Sequence, residues 1–169
     1  MNKKSILAIM FILFLFFSII SGIFVIKFAS ANFLPIPIPE HTIEIKVNGE
    51  IAGTDKIQRI GNIYTFTGDI VGSIVILCNG IVVDGAGYSL LGDGNRTGIW
   101  FQAITGVTVK NLHIRNFMYG IEFTYGIGVE GCSGITLSRN TITDNEHGIT
   151  VWLFSSSNQF LDNIIANNT

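Results

Sequence analysis

Proline is nearly absent from this chain, charge is sparse and metal ligands are few, and each shortage excludes something. All three prolines fall within FLPIPIPE at 33–40, so beyond that stretch no residue lacks the N–H that strand pairing needs. Charged residues make up 13%, against roughly 25% in a typical globular protein. The formal net charge is −2 and Lys and Arg form no cluster; phosphate binding demands one, so no nucleic-acid partner is expected. Two cysteines and three scattered histidines (His41, His113, His147) supply no C-x-x-C, H-x-H or Met-rich run. Neither a metal site nor a cofactor is therefore expected.

What is present begins with a leader. Lys3 and Lys4 precede an uncharged apolar run over 5–26, and Ala29-Ser30-Ala31 has the small-x-small form of a signal-peptidase site. Such a run, as a helix at ~1.5 Å per residue, spans about 33 Å, enough for a bilayer core. Residues 1–31 are thus expected to be a signal peptide or an uncleaved membrane anchor, with the lysines on the cytoplasmic side and the body exported. Alternate prolines over 32–41 forbid a helix and make an extended linker. Over 42–72, the alternation TIEIKV before Asn48-Gly49 predicts a type I′ hairpin. A second hairpin is expected around Gly61-Asn62, and together they are expected to cap the body of the domain.

From residue 73 the chain repeats itself. Laying 107–123 (VTVKNLHIRNFMYGIEF) over 135–151 (ITLSRNTITDNEHGITV), a shift of 28, superposes Val107 on Ile135, Val109 on Leu137, Ile114 on Ile142 and Gly120-Ile121 on Gly148-Ile149. A partial copy comes next at a shift of 23, where Asn140, Ile142 and Asn145 recur as Asn163, Ile165 and Asn168. Upstream, Ile81 and Val83 match Val107 and Val109, and Gly98-Ile99 matches Gly120-Ile121. Periods of this size mark stacked supersecondary units. Each period holds three short runs of period-2 alternation, too short for amphipathic helices and separated by Asn, Gly and Lys corners. That describes a solenoid of parallel strands over 73–169, each pairing ~4.8 Å away with its equivalent in the next coil. Extra residues bulge from corners, as in LGDGNRT at 91–97.

The pattern N-x-I-x-x-N, at 140–145 and again at 163–168, with Gly-Ile strand starts between, resembles the right-handed parallel β-helix (pectate-lyase-like) superfamily, and most of all archaeal cell-surface proteins with NosD-like repeats. The resemblance covers about residues 42–169. It implies an all-β, right-handed parallel β-helix of about four coils with an N-terminal β-hairpin cap, preceded by one hydrophobic leader helix. The repeat stops part-way through a copy at Thr169, so a truncated member is expected. The superfamily includes pectin-cleaving enzymes, adhesins, surface-layer components and copper-site maturation proteins, so fold alone does not fix activity.

Alternation then assigns inside and outside. Cys78 and Cys132 fall in one column two coils apart, about 9.6 Å, beyond the ~6.8 Å that a disulfide tolerates; two free inward thiols are expected. Asn140 with Asn163, and Asn145 with Asn168, should form structural amide ladders. With Ile99 and Phe101 inside, Trp100 and Gln102 face out, as do Glu122, Thr124, Thr150 and Trp152. Two tryptophans with a carboxylate, an amide and hydroxyls between them make a candidate glycan-binding face, since indole stacks on pyranose rings and the polar groups take hydroxyls. Glycoside hydrolysis wants two carboxylates within reach, and only Glu122 lies on that face; Asp84, Asp93, Asp144 and Asp162 belong to corners or loops. No catalytic residue is assigned. The expected function is a cell-surface scaffold or carbohydrate-binding module without catalysis, the alternative a polysaccharide lyase or glycoside hydrolase fragment whose catalytic coils are missing. Asn95 and Asn167 open glycosylation sequons.

Overall fold

The computed structural model describes residues 42–124 and 131–169, all within the second of the chain's two units, Pro39–Thr169. The expected leader, its membrane contact and the linker over 32–41 lie outside the described residues. Among the described residues no helix is long and apolar enough to cross a membrane.

Among the described residues, seventeen strands succeed one another. The first six are β1 (Thr42–Ile45), β2 (Ile51–Ala52), β3 (Ile57–Ile60), β4 (Ile63–Phe66), β5 (Ile70–Val71) and β6 (Ser73–Ile76). The repeating turns hold β7 (Val82–Asp84), β8 (Ser89–Leu91) and β9 (Thr97–Gln102), then β10 (Thr108–Lys110), β11 (His113–Arg115) and β12 (Tyr119–Thr124). After them come β13 (Thr136–Ser138), β14 (Thr141–Thr143), β15 (His147–Val151), β16 (Gln159–Leu161) and β17 (Ile164–Ala166).

From β4 onward, consecutive strands enter three different sheets in turn. Their orders are β15-β12-β9-β6-β1-β2, β16-β13-β10-β7-β4-β3 and β17-β14-β11-β8-β5. Three turns are complete between β7 and β15; β4–β6 lead in with the same sheet order, and β16–β17 extend the stack. The repeat shifts in the sequence are the registers of this stack: Val109 lies opposite Leu137 and Val83, Ile114 opposite Ile142, and Ile121 opposite Ile149. All the repeat pairings are parallel, and β2 against β1 and β3 against β4 are antiparallel.

The first hairpin departs from expectation. A type I′ turn needs positive φ at both central residues, but of Asn48 and Gly49 only Gly49 has it, at 78°. Instead the Gly49 N–H donates to the Lys46 carbonyl and the Lys46 N–H to the Glu50 carbonyl, closing a three-residue loop with glycine in the left-handed position. The second hairpin has its two-residue Gly61-Asn62 loop, with Ile60 opposite Ile63. Tyr64 ties the two together by donating its buried hydroxyl to the Gly49 carbonyl at 2.7 Å.

Inside, side chains stack in columns. Ile99 and Ile121, Phe101 and Phe123, Val83, Val109 and Leu137, and Leu90, Ile114 and Ile142 are all 0% exposed. The corners between these sheets turn by single left-handed residues: Asn111, Arg139 and Asp162 at one, and Asn116, Asp144 and Asn167 at the next. Asn and Asp tolerate that conformation because their short side chains bond locally. Directly after each corner the side chain points inward, which is where the asparagines sit. The Asn140 Oδ1 accepts from the Leu112 N–H at 3.1 Å, and its Nδ2 donates to the Val109 carbonyl at 2.9 Å and to the Asn163 Oδ1 at 3.1 Å. Asn145 repeats this on the Phe117 N–H, the Ile114 carbonyl and Asn168. A third inward asparagine, Asn158, accepts from the Ile135 N–H at 2.9 Å; its upstream equivalents are Ile135 and Val107, so no repeated letter marks this position.

Parity fails at the last strands. Phe160 and Ile165 share columns with Leu137 and Ile142, yet are 45% and 51% exposed, because among the described residues no coil lies over them. Ile149 is half-buried against the core. An inward letter is buried only when a neighbour covers it on both sides.

Cys78 and Cys132 are free; Cys132 is buried and Cys78 half-buried at the core's edge. Burial pushes the Cys132 thiol above its ordinary pKa, against weaker pulls from the backbone bonds at Ile104, Ala103 and Thr124, and the thiolate is the reactive form. In native protein a maleimide should therefore label Cys78 at least tenfold faster than Cys132, and denaturant should abolish the difference; equal native rates, by mass spectrometry, would contradict this packing.

A polar seam runs outside the β7–β10 pairing. Asp84 lies 3.0 Å from Lys110 and accepts from the Asn111 Nδ2 at 3.0 Å and the Ala86 N–H at 3.0 Å. Partial burial raises its carboxyl, but the bonds from Asn111 and Ala86 and the Lys110 charge outweigh that and hold it below the usual range. A carboxyl depressed in the folded state stabilises above its unfolded pKa, near 3.9, and the benefit disappears as pH falls through the folded value. Thermal melts should thus show Asp84→Asn less stable than the parent at pH 7, with the gap narrowing as pH falls below about 4.

Candidate functional site

The outward surface of the sheet through β9, β12 and β15 carries the predicted glycan face. Register places Glu122 beside Trp100 on one side and Thr150 on the other, and Thr124 beside Gln102. Trp152 comes directly after β15 and is 47% exposed, whereas Trp100 is half-buried. Gln102, Glu122, Thr124 and Thr150 are all half-buried.

These groups bond to one another. The Trp152 Nε1–H donates to the Glu122 Oε1 at 3.0 Å and the Thr97 hydroxyl to its Oε2 at 2.9 Å. The Trp100 Nε1–H donates to the Thr124 Oγ1 at 2.8 Å, which donates in turn to the Phe101 carbonyl at 3.0 Å. Both indole N–H groups are therefore satisfied within the protein, and Trp152 presents chiefly ring carbon to solvent. Each Glu122 oxygen has one partner and keeps capacity for another donor.

Three residues that alternation did not select join this face: Thr97, bonded to Glu122, Tyr119 and His147. Tyr119 lies opposite His147, with ring centroids 5.0 Å apart and planes 21° from parallel. Strict alternation from Ile121 puts Tyr119 inside, but Gly120 and Ile121 are both buried and Tyr119 is not. The reason is a glycine column. A Cβ at Gly120 would meet the Gly148 carbonyl at 2.6 Å and the Asn145 Nδ2 at 3.0 Å, so the strand starts are drawn in against the asparagine ladder. The repeat alignment already placed Tyr119 over His147, which was the available signal.

The other predicted positions lie elsewhere. Asn95 is exposed in the loop after β8, its N–H bonded to the Asp93 Oδ1 at 3.1 Å, and Asn167 is exposed at a left-handed corner, φ 55°. Asp144 and Asp162 are also corner residues, φ 57° and 54°. Among the described residues no group of three or more His, Cys, Asp or Glu could hold a metal.

A family model described as a right-handed β-helix region matches residues 63–169, more than half of the chain. The chain belongs to the right-handed β-helix family. No curated protein and no solved structure matches it. For this β-helix the consequence is that fold is assigned while chemistry must come from the face itself. On the outer surface of β9, β12 and β15 the β-helix offers one carboxylate, two indoles, a stacked Tyr–His pair and hydroxyls, with no Lys or Arg on those strands.

Proposed function

We propose that this β-helix is an exported cell-surface module, serving as scaffold or carbohydrate-binding adhesin, without catalysis of its own. The observation that carries the reading is Trp152, exposed and fixed through its indole N–H to Glu122. A pre-oriented aromatic beside bonded polar groups binds sugar at low entropic cost. The apolar run over 5–26 and the exposed sequon asparagines Asn95 and Asn167 support export. The hairpins β1–β2 and β3–β4, at the edges of two sheets, suit a cap that blunts unpaired strands. The N-x-I-x-x-N repeats favour kinship with NosD-like archaeal surface proteins over the pectin-cleaving branch, whose members group acids and bases on this face.

A second reading has an observation of its own. Glu122 and His147 share one outward surface, and a carboxylate with an imidazole is the minimum for acid–base cleavage. The alternative is thus a polysaccharide lyase or hydrolase fragment. A panel of polysaccharides separates them. Retention of the full chain on an immobilised glycan, lost in Trp152→Ala and without product, supports binding. New reducing ends or unsaturated products would establish the enzyme instead.

A further inference from the structure

Resting on the glycan-binding reading, we infer that the face selects neutral or amino sugars and rejects uronates. The column of side chains in register with Glu122 runs Glu44, Val75, Trp100, Glu122, Thr150; Val75 is buried, and the only two charged members, Glu44 and Glu122, are both acidic. The next column holds Gln102, Thr124 and Trp152 and continues upstream through Leu77 to Lys46, and the one beyond holds Thr97, Tyr119 and His147. Nearby cations are engaged with acids: Lys46 lies 3.3 Å from Glu50, and Arg96, at the corner before β9, lies 3.7 Å from Asp93.

That inventory sets the chemistry. Glu122 accepts from two neutral donors, Thr97 and Trp152, and its remaining lone pairs point to a further donor, a hydroxyl or an ammonium. A sugar ring stacked on Trp152 brings its substituents to within a few ångströms of that carboxylate. A uronate there meets a like charge without a compensating Lys or Arg among the described residues, whereas a protonated amino sugar meets an opposite one. Like charges ~4 Å apart at a protein surface cost enough to weaken binding about tenfold or more.

Hexamers of glucosamine, glucose and galacturonic acid, titrated against the full chain with tryptophan fluorescence as the readout, test this. The expected order is glucosamine, then glucose, with galacturonate at least tenfold weaker, and the glucosamine preference should shrink as salt rises. Glu122→Gln should narrow the spread between glucosamine and galacturonate severalfold; should that variant misfold by circular dichroism, Thr150→Arg, which adds a cation beside Glu122, should raise galacturonate affinity. Galacturonate binding as tightly as glucose, or an order unmoved by both variants, overturns the selectivity alone. If none of the hexamers perturbs the fluorescence, the glycan reading itself falls.

Discussion

Replacing Phe123 with alanine should lower the free energy of unfolding by about 3–5 kcal/mol, the cost of emptying a large buried aromatic site. Phe123 is 0% exposed and bridges three levels of the stack. Its ring centroid lies 5.0 Å from Phe101 at 52° and 6.2 Å from Phe160 at 63°, geometries in which ring edges meet ring faces. In a solenoid each coil is stabilised through its neighbours, so one vacated site loosens two interfaces. Denaturant titration should find the parent most stable, Phe123→Leu intermediate and Phe123→Ala least stable. A midpoint for Phe123→Ala within error of the parent would mean the aromatic column is not the core described.

Replacing Asn140 with leucine should cost about 2–4 kcal/mol despite adding apolar volume, because each buried polar group left unpaired costs about 1–3 kcal/mol. Asn140 is 1% exposed, and its amide is the partner of the Leu112 N–H and the Val109 carbonyl. Leucine strands both. Asn163→Leu should cost less, because Asn163 is only half-buried and water can replace its amide. The pair of variants excludes a simple hydrophobicity effect: were burial of apolar area the governing term, leucine at 140 would stabilise, and equilibrium unfolding would show it directly.

Much of this molecule is legible in its sequence. The shifts of 28, 26 and 23 residues reappear as strand registers, since a parallel stack forces equivalent letters over one another. The two asparagine ladders were legible for the same reason. What misled was local. Asn48-Gly49 carries the letters of a type I′ turn, but the loop closes one residue wider, from Lys46 to Glu50. Tyr119 obeys the packing of the glycine column rather than alternation.

By itself the sequence determined the solenoid, its repeated columns and most of its inward residues, because repetition and period-2 alternation are properties of letters and their spacing. Only the tertiary structure decided which outward groups engage one another. That Trp152 and Thr97 converge on Glu122, from strands a full turn away on either side, depends on side-chain direction across three coils. Likewise it alone decided that Tyr119 lies beside His147 rather than in the core. Burial is a relation between neighbours, and a residue's identity does not state whether a neighbour is there.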